Sequence, residues 1–451
     1  MNNSRWATVE EYQKTLKEVG LNSNITTSGI PFMYDDNHLY IDDNLRHNLI
    51  IGSTGSGKTQ AFILPTLKLA IKAQESFLIN DVNGDIYQRL AKKLKQENYK
   101  VIAIDMDNPT LGDSWNPLSL PYKLYKEKNF DKSLEILEEI GYYLFYEKTI
   151  NVDPFWINST INYFTGLVLY LFENAKEEEI NLSSVGYLAN ELNQKGESEK
   201  FLEKIEKNSV TAIKLNGTLK APPETRGSIL SVFNQKIEKY LSRKNLENML
   251  SNTNYDFTKV MEEKTAIFLI SGIASHSSNL VPLFVEQIID TISIYGSEER
   301  RFNMIIDSFD NLIPIKDFSK KLSYSRSLNI RITVTIESYI QLLNMYSKEE
   351  VEILKMCFGN IIYLLSQDIY TMEEISKNCG THMVNDKEEP LITISELKTM
   401  NSFEAVVLTT RMLPFKTKIL PDYKIDWGYV LEEEQLEPRV INTINVFELH
   451  K

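Results

Sequence analysis

Short segments that are apolar at successive positions recur along the chain and predict buried β-strands. They lie at 49–52, 77–80, 101–105, 266–271, 303–307, 330–336, 360–366 and 404–411. Helical patterns separate most of them from one another. A strand that is apolar at every position is covered on both faces, as in a parallel sheet flanked by helices. The pattern therefore predicts an α/β fold.

The long interval between the third and fourth predicted strands, 106–265, contains no strand-like segment and is helical and charged. An insertion in a nucleotide-binding sheet explains this interval most simply. We therefore expect the first part of an α/β domain at 1–180, an inserted all-α domain at 181–250 and the second part of the α/β domain at 251–451. The acidic segment that follows Ile425 is expected to be loosely ordered.

The least charged long stretch of the sequence, 154–172, is nearly long enough to span a bilayer, which takes about 20 residues in a helix. Five polar side chains interrupt it: Asn158, Ser159, Thr160, Asn162 and Thr165. Because polar side chains are costly inside a membrane, a buried helix is the better interpretation.

Composition narrows the class of protein. Of the 451 residues, 42% are hydrophobic and 25% are charged, which is typical of globular proteins and excludes a disordered or collagen-like chain. Lys and Arg number 49 against 62 Asp and Glu, and the net charge of −13 excludes a general nucleic-acid coat but not a local basic surface. Two cysteines without metal-ligand spacing are too few for a disulfide framework, so we expect a protein of the reducing cytoplasm.

A glycine-rich loop between the first predicted strand and a helical pattern matches the phosphate-binding motif GxxxxGK[ST] in full. It consists of Gly52, Ser53, Thr54, Gly55, Ser56, Gly57, Lys58 and Thr59. The glycines let the backbone turn its N–H groups towards a phosphate, and the following helix adds its positive N-terminal end. Lys58 is predicted to reach the β- and γ-phosphates of a nucleotide, and the Thr59 hydroxyl to bind Mg²⁺. A chance turn rich in Gly and Ser is the alternative.

The strand predicted at 303–307 ends in Asp307, a Walker B pattern in which the carboxylate orients Mg²⁺. In many NTPases the next residue is the Glu that polarises the attacking water, but here it is Ser308, which takes no proton at neutral pH. The next strand is followed by Glu337, where a neutral sensor residue is usual. One hypothesis is that Glu337 replaces the missing Glu; the alternative is a protein that binds nucleotide but hydrolyses it slowly or not at all. Asp310 is a weaker substitute, and we expect it to be a solvated loop charge.

Several further motifs follow one another along the chain. They are the turn at 81–85, WNPL at 115–118, DPFW at 153–156, ETRGSIL at 224–230, and the stretch from the Walker B strand through the sensor strand at 305–346. Together with the phosphate loop they resemble the VirD4/TraG family of type IV secretion coupling proteins over nearly the whole chain. Asp81 and Asp105 also follow predicted strands, where α/β sheets bind ligands, although each is equally well explained as a turn residue.

The resemblance implies a RecA-like P-loop NTPase domain that carries an inserted all-α domain. It implies an ATPase that binds ATP and Mg²⁺, recruits single-stranded DNA or a relaxase–DNA complex, and couples hydrolysis to transport. It also implies a homo-oligomer, typically a hexamer, that contacts the secretion channel at the inner face of the cell membrane. Arg326 matches a family arginine proposed to reach the nucleotide of a neighbouring subunit, where it would supply charge to the transferred phosphoryl group. The alternative is a surface arginine on a helix. Arg411, at the end of the last predicted strand, is a further candidate to face nucleotide.

Three departures from the family pattern limit the transfer of function. Ser308 and Glu337 replace the usual Glu and Gln, and Asn83 stands where Lys is frequent. The family's membrane anchor has no recognisable counterpart, so we expect a shortened form or recruitment by a membrane-anchored partner. Two other functions stay open on the sequence: a non-hydrolysing adaptor of the secretion machinery, and a DNA translocase of the FtsK/HerA type.

Overall fold

The chain folds into two compact units, each built from several stretches of sequence. The computed structural model describes residues 4–21, 23–35, 38–148, 153–194, 197–272, 277–296 and 300–449. The first unit comprises Met1–Val101, Thr258–Leu269 and Ile292–Gln435, and the second comprises Ile102–Phe257, Ile270–Thr291 and Leu436–Lys451. The all-α domain predicted at 181–250 lies within the second unit, and its own boundaries stay a prediction.

The β-strands of the described residues form a nine-stranded sheet, a three-stranded sheet and a hairpin. They are β1 (Lys17–Gly20), β2 (Ile30–Asp35), β3 (His38–Asp42), β4 (Asn48–Gly52), β5 (Ser76–Asn80), β6 (Lys100–Asp105), β7 (Thr265–Ile270), β8 (Phe302–Ile306), β9 (Ile330–Ile336), β10 (Asn360–Leu365), β11 (Thr381–Val384), β12 (Lys387–Pro390), β13 (Glu404–Thr409) and β14 (Phe415–Lys418). The large sheet has the order β14-β13-β10-β4-β9-β8-β5-β7-β6, the small sheet has the order β1-β3-β2, and β11 pairs with β12.

Helices form most of the remaining regular structure. They are α1 (Val9–Gln13), α2 (Leu64–Lys72), α3 (Asp85–Gln96), α4 (Ser119–Lys126), α5 (Phe130–Phe145), α6 (Pro154–Asn174), α7 (Leu182–Leu192), α8 (Glu197–Lys204), α9 (Val210–Leu219), α10 (Pro223–Leu241), α11 (Lys244–Met249), α12 (Ser277–Tyr295), α13 (Phe318–Ser327), α14 (Tyr339–Met345), α15 (Lys348–Cys357), α16 (Ile369–Cys379) and α17 (Ile394–Lys398). Several begin at a capping box, as α1 does at Thr8 and α15 at Ser347. In each box two N–H groups that the helix leaves unpaired gain a side-chain acceptor.

The centre of the large sheet is parallel. β4 pairs in parallel with β9 and β10, β8 pairs with β5 and β9, and β5 pairs with β7. β4, β5, β7, β8 and β9 are buried at every position, as their continuously apolar sequences require. Each predicted strand is present within about two residues of its predicted bounds, and the α/β fold class is confirmed.

The strand directions decide which residues meet at the edge where β4, β8 and β9 end, here called the phosphate-loop edge. β13 runs antiparallel to β10, with Thr409 opposite Asn360, and Asn360 lies opposite Asn48 at the start of β4. Arg411 therefore lies at the opposite end of the strands from the phosphate loop, so it does not face the nucleotide of its own chain. The same antiparallel direction brings Phe403, which precedes β13, to the phosphate-loop edge.

The apolar stretch at 154–172 forms α6 in the second unit. Asp153 caps this helix by accepting the N–H of Phe155 at 2.9 Å, and a proline occupies its first turn. Side chains in its middle, such as Tyr163 and Phe164, are fully buried, so the predicted buried helix is confirmed. Across the described ranges, every helix is too short or too polar to cross a membrane.

The first part of the segment after Ile425, residues 426–435, is anchored within the first unit, so the expectation of loose order is wrong for this part. The indole N–H of Trp427 donates to Asp422 at 2.9 Å, and Asp422 pairs with Lys68 at 2.8 Å. Trp427 is 4% exposed. Two acidic residues farther along this segment form ion pairs with lysines of α3. Buried aromatic and charged anchors therefore hold a segment that has no regular secondary structure.

β14 is the last strand at one side of the large sheet and has an alternating pattern. Phe415 and Thr417 are buried, whereas Lys416 and Lys418 are exposed. The Thr417 hydroxyl donates to the carbonyl oxygen of Phe32 at 2.5 Å. One face of this end strand is therefore fixed to the protein, while the other carries two lysines.

Candidate nucleotide-binding site

The phosphate loop leaves β4 and enters a helix through a tightly held turn. The Ser53 N–H donates to the last carbonyl oxygen of β10 at 2.8 Å, and the Ser56 N–H donates to the Ser53 carbonyl oxygen at 3.0 Å. Gly55 and Gly57 have φ angles of 80° and 94°. These values lie in the left-handed region that favours glycine, so the turn depends on both residues.

Phe403 packs against one side of this loop. A Cβ atom at Gly57 would lie 2.8 Å from Cε1 of Phe403. Phe403 itself has a φ angle of 65°, a rare conformation for an aromatic residue. Its carbonyl oxygen accepts the N–H of Ile419 at 2.8 Å, which ties this residue to the end of β14. The sequence does not predict a role for Phe403, because no motif indicates a phenylalanine with a left-handed backbone conformation.

Lys58 lies over the backbone of its own loop. Its Nζ donates to the carbonyl oxygen of Gly52 and, at 3.4 Å, to that of Ser53. The next turn, Thr59–Ile63, is π-helical, a rare geometry that occurs often at functional sites. Among the described residues, the buried hydroxyl of Ser56 has no hydrogen-bond partner. The ammonium group, this hydroxyl and the first N–H groups of the helix are donors of the kind that bind a phosphate.

Asp307 follows β8 and is oriented by both neighbouring strands. Its Oδ1 accepts the hydroxyl of Thr335 from β9 and, at 3.1 Å, the N–H of Ser308. Its carbonyl oxygen accepts the side-chain amide of Asn80 from β5 at 2.7 Å. The carboxylate therefore has a fixed direction at the phosphate-loop edge, as a Walker B aspartate requires.

The oxygen atoms available at the phosphate-loop edge are suitable ligands for Mg²⁺. The carboxylate of Asp307 and the hydroxyl of Thr59, in the turn that follows Lys58, are both hard oxygen ligands. Mg²⁺ is usually held by one or two such protein ligands together with water and substrate phosphates. Bound here, it would neutralise phosphate charge beside the ammonium group of Lys58.

Two carboxylates lie beside Ser308, which has the left-handed φ angle of 53°. Glu337 follows β9, and its Oε1 accepts the hydroxyl of Thr54 at 2.5 Å. The backbone N–H of Glu337 donates to Oδ2 of Asp310 at 3.2 Å. Asp310 is partly buried, so the expectation of a solvated loop charge is wrong. Asp310 and Glu337 are called the carboxylate pair below.

The electrostatic surroundings of Asp310 connect it to the phosphate loop. Burial raises the pKa of Asp310, backbone N–H donors that include Glu337 lower it, and the nearby charge of Glu337 raises it again. The positive charge of Lys58 also lowers the pKa, so Asp310 lies within electrostatic range of the loop's cation. The sequence could not place this residue, because its position depends on the left-handed turn at Ser308 and the short 3-10 turn Phe309–Asn311.

Arg326 lies apart from the carboxylate pair and the phosphate loop. α13 ends just before β9 begins, which places Arg326 at the edge of the sheet opposite to the loop. The side chain is exposed and lines a cavity of about 550 Å³ together with His47 and Cys357. Burial, with a contribution from the positive charge of Arg326, lowers the pKa of His47 to about 4. The fold therefore does not bring Arg326 to the nucleotide loop of its own chain.

Asp81 and Asp105, the other strand-end acids, are used inside the protein. Asp81 accepts the N–H of Tyr87 in the first turn of α3 at 2.7 Å, and burial raises its pKa to about 6. Asp105 accepts the N–H groups of Asp107 and Asn108 at 3.1 and 2.7 Å. These contacts support the interpretation of both as turn residues.

The WNPL motif is a structural element of the second unit. Trp115 is fully buried, and its indole N–H donates to Gln287 at 3.1 Å. The side-chain amide of Asn116 donates to the carbonyl oxygens of Ile180 at 2.6 Å and Ser251 at 3.3 Å. Asn116 therefore joins the two chain positions that bracket the helices at 181–250.

Comparisons with known proteins place these observations in a family. A family model described as "Type IV secretory system Conjugative DNA transfer" matches residues 5–389. The bacterial conjugative coupling protein TrwBdeltaN70, in an unbound form, superposes with a TM-score of 0.71 at 14% identity and covers 96% of this chain and 95% of its own. The plasmid coupling protein TrwB in complex with ADP and Mg²⁺ gives 0.69 at 14% identity, covering 98% and 96%. VirB4 of Thermoanaerobacter pseudethanolicus gives 0.50 at 10% identity, covering 89% and 98%.

A comparison with functionally curated proteins gives no match. The likeness to the solved structures concerns the fold, and it confirms the predicted RecA-like nucleotide-binding fold with a helical domain. The matched residues include the phosphate loop, the Walker B aspartate Asp307 and the sensor strand β9. The chain therefore belongs to the type IV secretion family of conjugative DNA transfer proteins, as the resemblance of its motifs predicts.

Proposed function

We propose that this protein binds ATP with Mg²⁺ at the phosphate loop and couples ATP hydrolysis to the transfer of DNA through a type IV secretion channel. One observation carries the proposal: Asp307, the phosphate loop and the carboxylate pair converge at one sheet edge in a chain of the conjugative DNA transfer family. The TrwB structures with ADP and Mg²⁺, and with an ATP analogue, support it because they have the same fold.

In the proposed complex, Lys58 exchanges the carbonyl oxygens of Gly52 and Ser53 for the β- and γ-phosphates. The loop N–H groups and the unpaired hydroxyl of Ser56 add donors to the same anion. Thr59 and Asp307 would hold Mg²⁺, which would supply positive charge to the phosphates. The bonds from Thr335 and Ser308 keep the Asp307 carboxylate in place while this happens.

In this proposal the carboxylate pair replaces the Glu that is missing at position 308. A general base has to lie within hydrogen-bond reach of the water that it activates. Glu337 contacts Thr54 in the phosphate loop, and Asp310 contacts Glu337, so both acids lie beside the loop that binds the phosphates. The hypothesis that one of them restores hydrolysis is the reason to expect a motor rather than a passive nucleotide binder.

We assign Arg326 to the nucleotide of a neighbouring subunit in a homo-oligomer, with a hexamer as the expected assembly. Its position at the opposite edge of the sheet from its own loop supports this role. The exposed side chains of Ile353 and Met356, 46% and 77% accessible, line the same cavity. An arginine surrounded by exposed apolar side chains suits a contact with another copy, where it would stabilise the charge of the transferred phosphoryl group.

The proposed substrate is single-stranded DNA, bound directly or with a relaxase, and family membership supports it. The chain would act at the inner face of the cell membrane, with channel components and a membrane-anchored partner. Arg243 and Lys244 are exposed where α10 ends and α11 begins. In a ring, every subunit would contribute the same two basic residues around the axis, which would add up to a larger positive surface for DNA.

The test of this function is an ATPase assay with and without single-stranded DNA, comparing the wild-type protein with Lys58→Ala. We expect DNA to increase wild-type turnover, and Lys58→Ala to reduce it at least about 100-fold, because the cation on the transferred phosphate is lost. Lys320→Ala, which removes an exposed lysine paired with Asp317, is the matched control and should leave turnover unchanged. Turnover that survives Lys58→Ala would exclude the motor.

A non-hydrolysing adaptor is the second candidate function, and Ser308 favours it, because that position carries no carboxylate. The adaptor would bind ATP to stabilise its fold or its assembly. Tight ATP binding without turnover, in the presence of DNA and at concentrations where the protein is oligomeric, would establish the adaptor and exclude the motor.

A further inference from the structure

The two members of the carboxylate pair are held in different ways. Glu337 has its Oε1 bonded to the Thr54 hydroxyl at 2.5 Å, so this carboxylate is already engaged with the phosphate loop. The side chain of Glu337 thus connects the phosphate loop to the end of β9, and this contact is suited to positioning the loop. The same residue offers its backbone N–H to Asp310 at 3.2 Å.

Asp310 is held by the backbone and by a buried anchor beside it. The 3-10 turn that carries it is closed by the Asn311 N–H, which donates to the Ser308 carbonyl oxygen at 3.0 Å. Phe309 in the same turn is 1% exposed and stacks on Phe318 with 5.1 Å between ring centroids. The carboxylate of Asp310 therefore lies on a rigid turn. Its Oδ2 accepts the backbone N–H of Glu337, and this hydrogen bond does not involve Oδ1.

We propose that Asp310 is the catalytic carboxylate of this protein and that Glu337 is a positioning residue. This inference rests on the proposed function, because it names the base of that hydrolysis reaction. It differs from the usual arrangement, in which the base directly follows the Walker B aspartate. The left-handed turn at Ser308 moves the chain so that an acid two positions later lies next to the sensor strand.

The proposed step balances as a hydrolysis. The oxygen of a water molecule forms a bond to the γ-phosphorus, and the bond from the γ-phosphorus to the β–γ bridging oxygen breaks, its electron pair remaining on ADP. Asp310 accepts the proton that the water loses. The proton then passes to solvent or to the released phosphate, which returns Asp310 to its carboxylate form.

Burial favours this role for Asp310. Its surroundings raise its pKa above the usual range, so the carboxylate is a stronger base than a solvated aspartate. The nearby positive charge of Lys58 acts in the opposite direction and lowers the pKa of Asp310. Glu337, by contrast, already accepts the hydroxyl of Thr54 with its Oε1 at 2.5 Å.

The test compares Asp310→Asn with Glu337→Gln in the full chain. Asn at 310 still has an oxygen that accepts the Glu337 N–H, so the turn is preserved while the base is removed. We expect turnover to fall at least about 100-fold in Asp310→Asn, the scale of general base catalysis. Glu337→Gln still bonds Thr54 and should lose less than about tenfold. Asp317→Asn changes an exposed acid in the same segment, paired with Lys320, and is the matched control.

Binding gives a readout that is independent of activity. Calorimetry should give an ATP dissociation constant for Asp310→Asn within about threefold of wild type, and nucleotide extracted from the variant after incubation should remain ATP. Asp310→Asn that hydrolyses at the wild-type rate, beside a wild type that depends on Lys58, overturns this inference alone. A wild type without turnover, or with turnover that survives Lys58→Ala, overturns the proposed function and this inference together.

Discussion

Gly57 occupies a position where the phosphate loop has no space for a side chain. It has a φ angle of 94°, and a Cβ atom there would lie 2.8 Å from Phe403. We expect Gly57→Ala to lower the free energy of unfolding by about 1–2 kcal/mol from backbone strain, and by a further 1–3 kcal/mol from overpacking. Gly55 has a similar φ angle of 80° but open space around its Cβ position, so Gly55→Ala should show only the first effect. Urea titration of the three proteins measures the difference, and equal losses would contradict the role of Phe403.

Asp81 predicts a pH dependence of stability. Burial raises its pKa from 3.8 to about 6 in the folded protein, so the folded state binds more protons than the unfolded state between these values. Stability contributed by this group therefore falls as the pH rises through that window. Asp81→Asn keeps an acceptor for the Tyr87 N–H and removes the charge. We expect the variant to be more stable than wild type at pH 8 by up to about 3 kcal/mol, and equal to it near pH 4.

Urea unfolding at pH 4, 6 and 8 tests this dependence. Asp85→Asn is the control, because Asp85 is exposed in the first turn of α3. Its charge favours the helix N-terminus, so its loss should destabilise slightly at neutral pH, opposite in sign to Asp81→Asn. A stability difference for Asp81→Asn that does not change with pH would show that burial does not perturb this carboxyl.

A few buried contacts hold residues 426–435, which have no regular secondary structure. Lys68 and Asp422 are only 5% and 7% exposed, and Trp427 bonds to the same carboxylate. Asp422→Asn keeps the acceptor for Trp427 but leaves the ammonium group buried without its counter-charge. We expect a loss of about 3–5 kcal/mol in the free energy of unfolding. Hydrogen exchange at 426–435 should rise in parallel.

A second ion pair of the same segment serves as the control. Glu432 pairs with Lys92 on α3, and the side chains are 63% and 42% exposed. Exposed pairs contribute at most about 1 kcal/mol, so Glu432→Gln should leave stability and exchange nearly unchanged. If both variants had equal effects, the segment would be held by its acidic character rather than by the buried anchor.

The hydrogen bonds of Asn116 predict that the WNPL motif stabilises the helices at 181–250. Asn116→Asp replaces the amide that bonds Ile180 and Ser251 with oxygens that face two carbonyl oxygens. We expect a loss of about 2 kcal/mol or more, since buried acceptors lose their donor. Thermal unfolding and limited proteolysis within 181–250 measure the effect. Asn174→Asp, at the exposed end of α6, makes the same chemical change and should be nearly neutral.

The elements that sequence could predict are those whose environment is uniform. Strands that are buried on both faces, such as β4 and β9, have sequences that are apolar at successive positions, and this pattern predicts them. The small sheet, the hairpin and β14 were missed, because short strands that are partly or wholly exposed lack a continuous apolar sequence. The phosphate loop and Asp307 were found because motif spacing fixes their local geometry. Asp310 and Phe403 depend on left-handed residues, and the edge on which Arg411 lies depends on the direction of one strand.

At the scale of the whole molecule, the separation of Arg326 from its own loop predicts that activity is shared between chains. Arg326→Ala alone should bind ATP normally and lose turnover by about 1,000-fold or more. Lys58→Ala alone should also be inactive. Mixing the two inactive variants should restore part of the activity, because a Lys58→Ala subunit can supply its arginine to an intact loop.

The complementation is measured as turnover at increasing total protein concentration, with sedimentation to follow assembly. Lys320→Ala, at the other end of α13, replaces Arg326→Ala in the control mixture. Arg326→Ala that retains full turnover at every concentration would exclude the trans role. Restoration in the mixture would show in addition that the active form contains more than one copy.

The lysines of β14 restrict how copies of this chain can associate. The last strand of a sheet presents unpaired backbone groups, and a neighbouring chain can pair with them and extend the sheet without limit. Lys416 and Lys418 are both exposed on this strand. Two copies joined edge to edge would bring these like charges together, a common protection against aggregation. Association of two copies through β14 would therefore bring like charges together and is disfavoured.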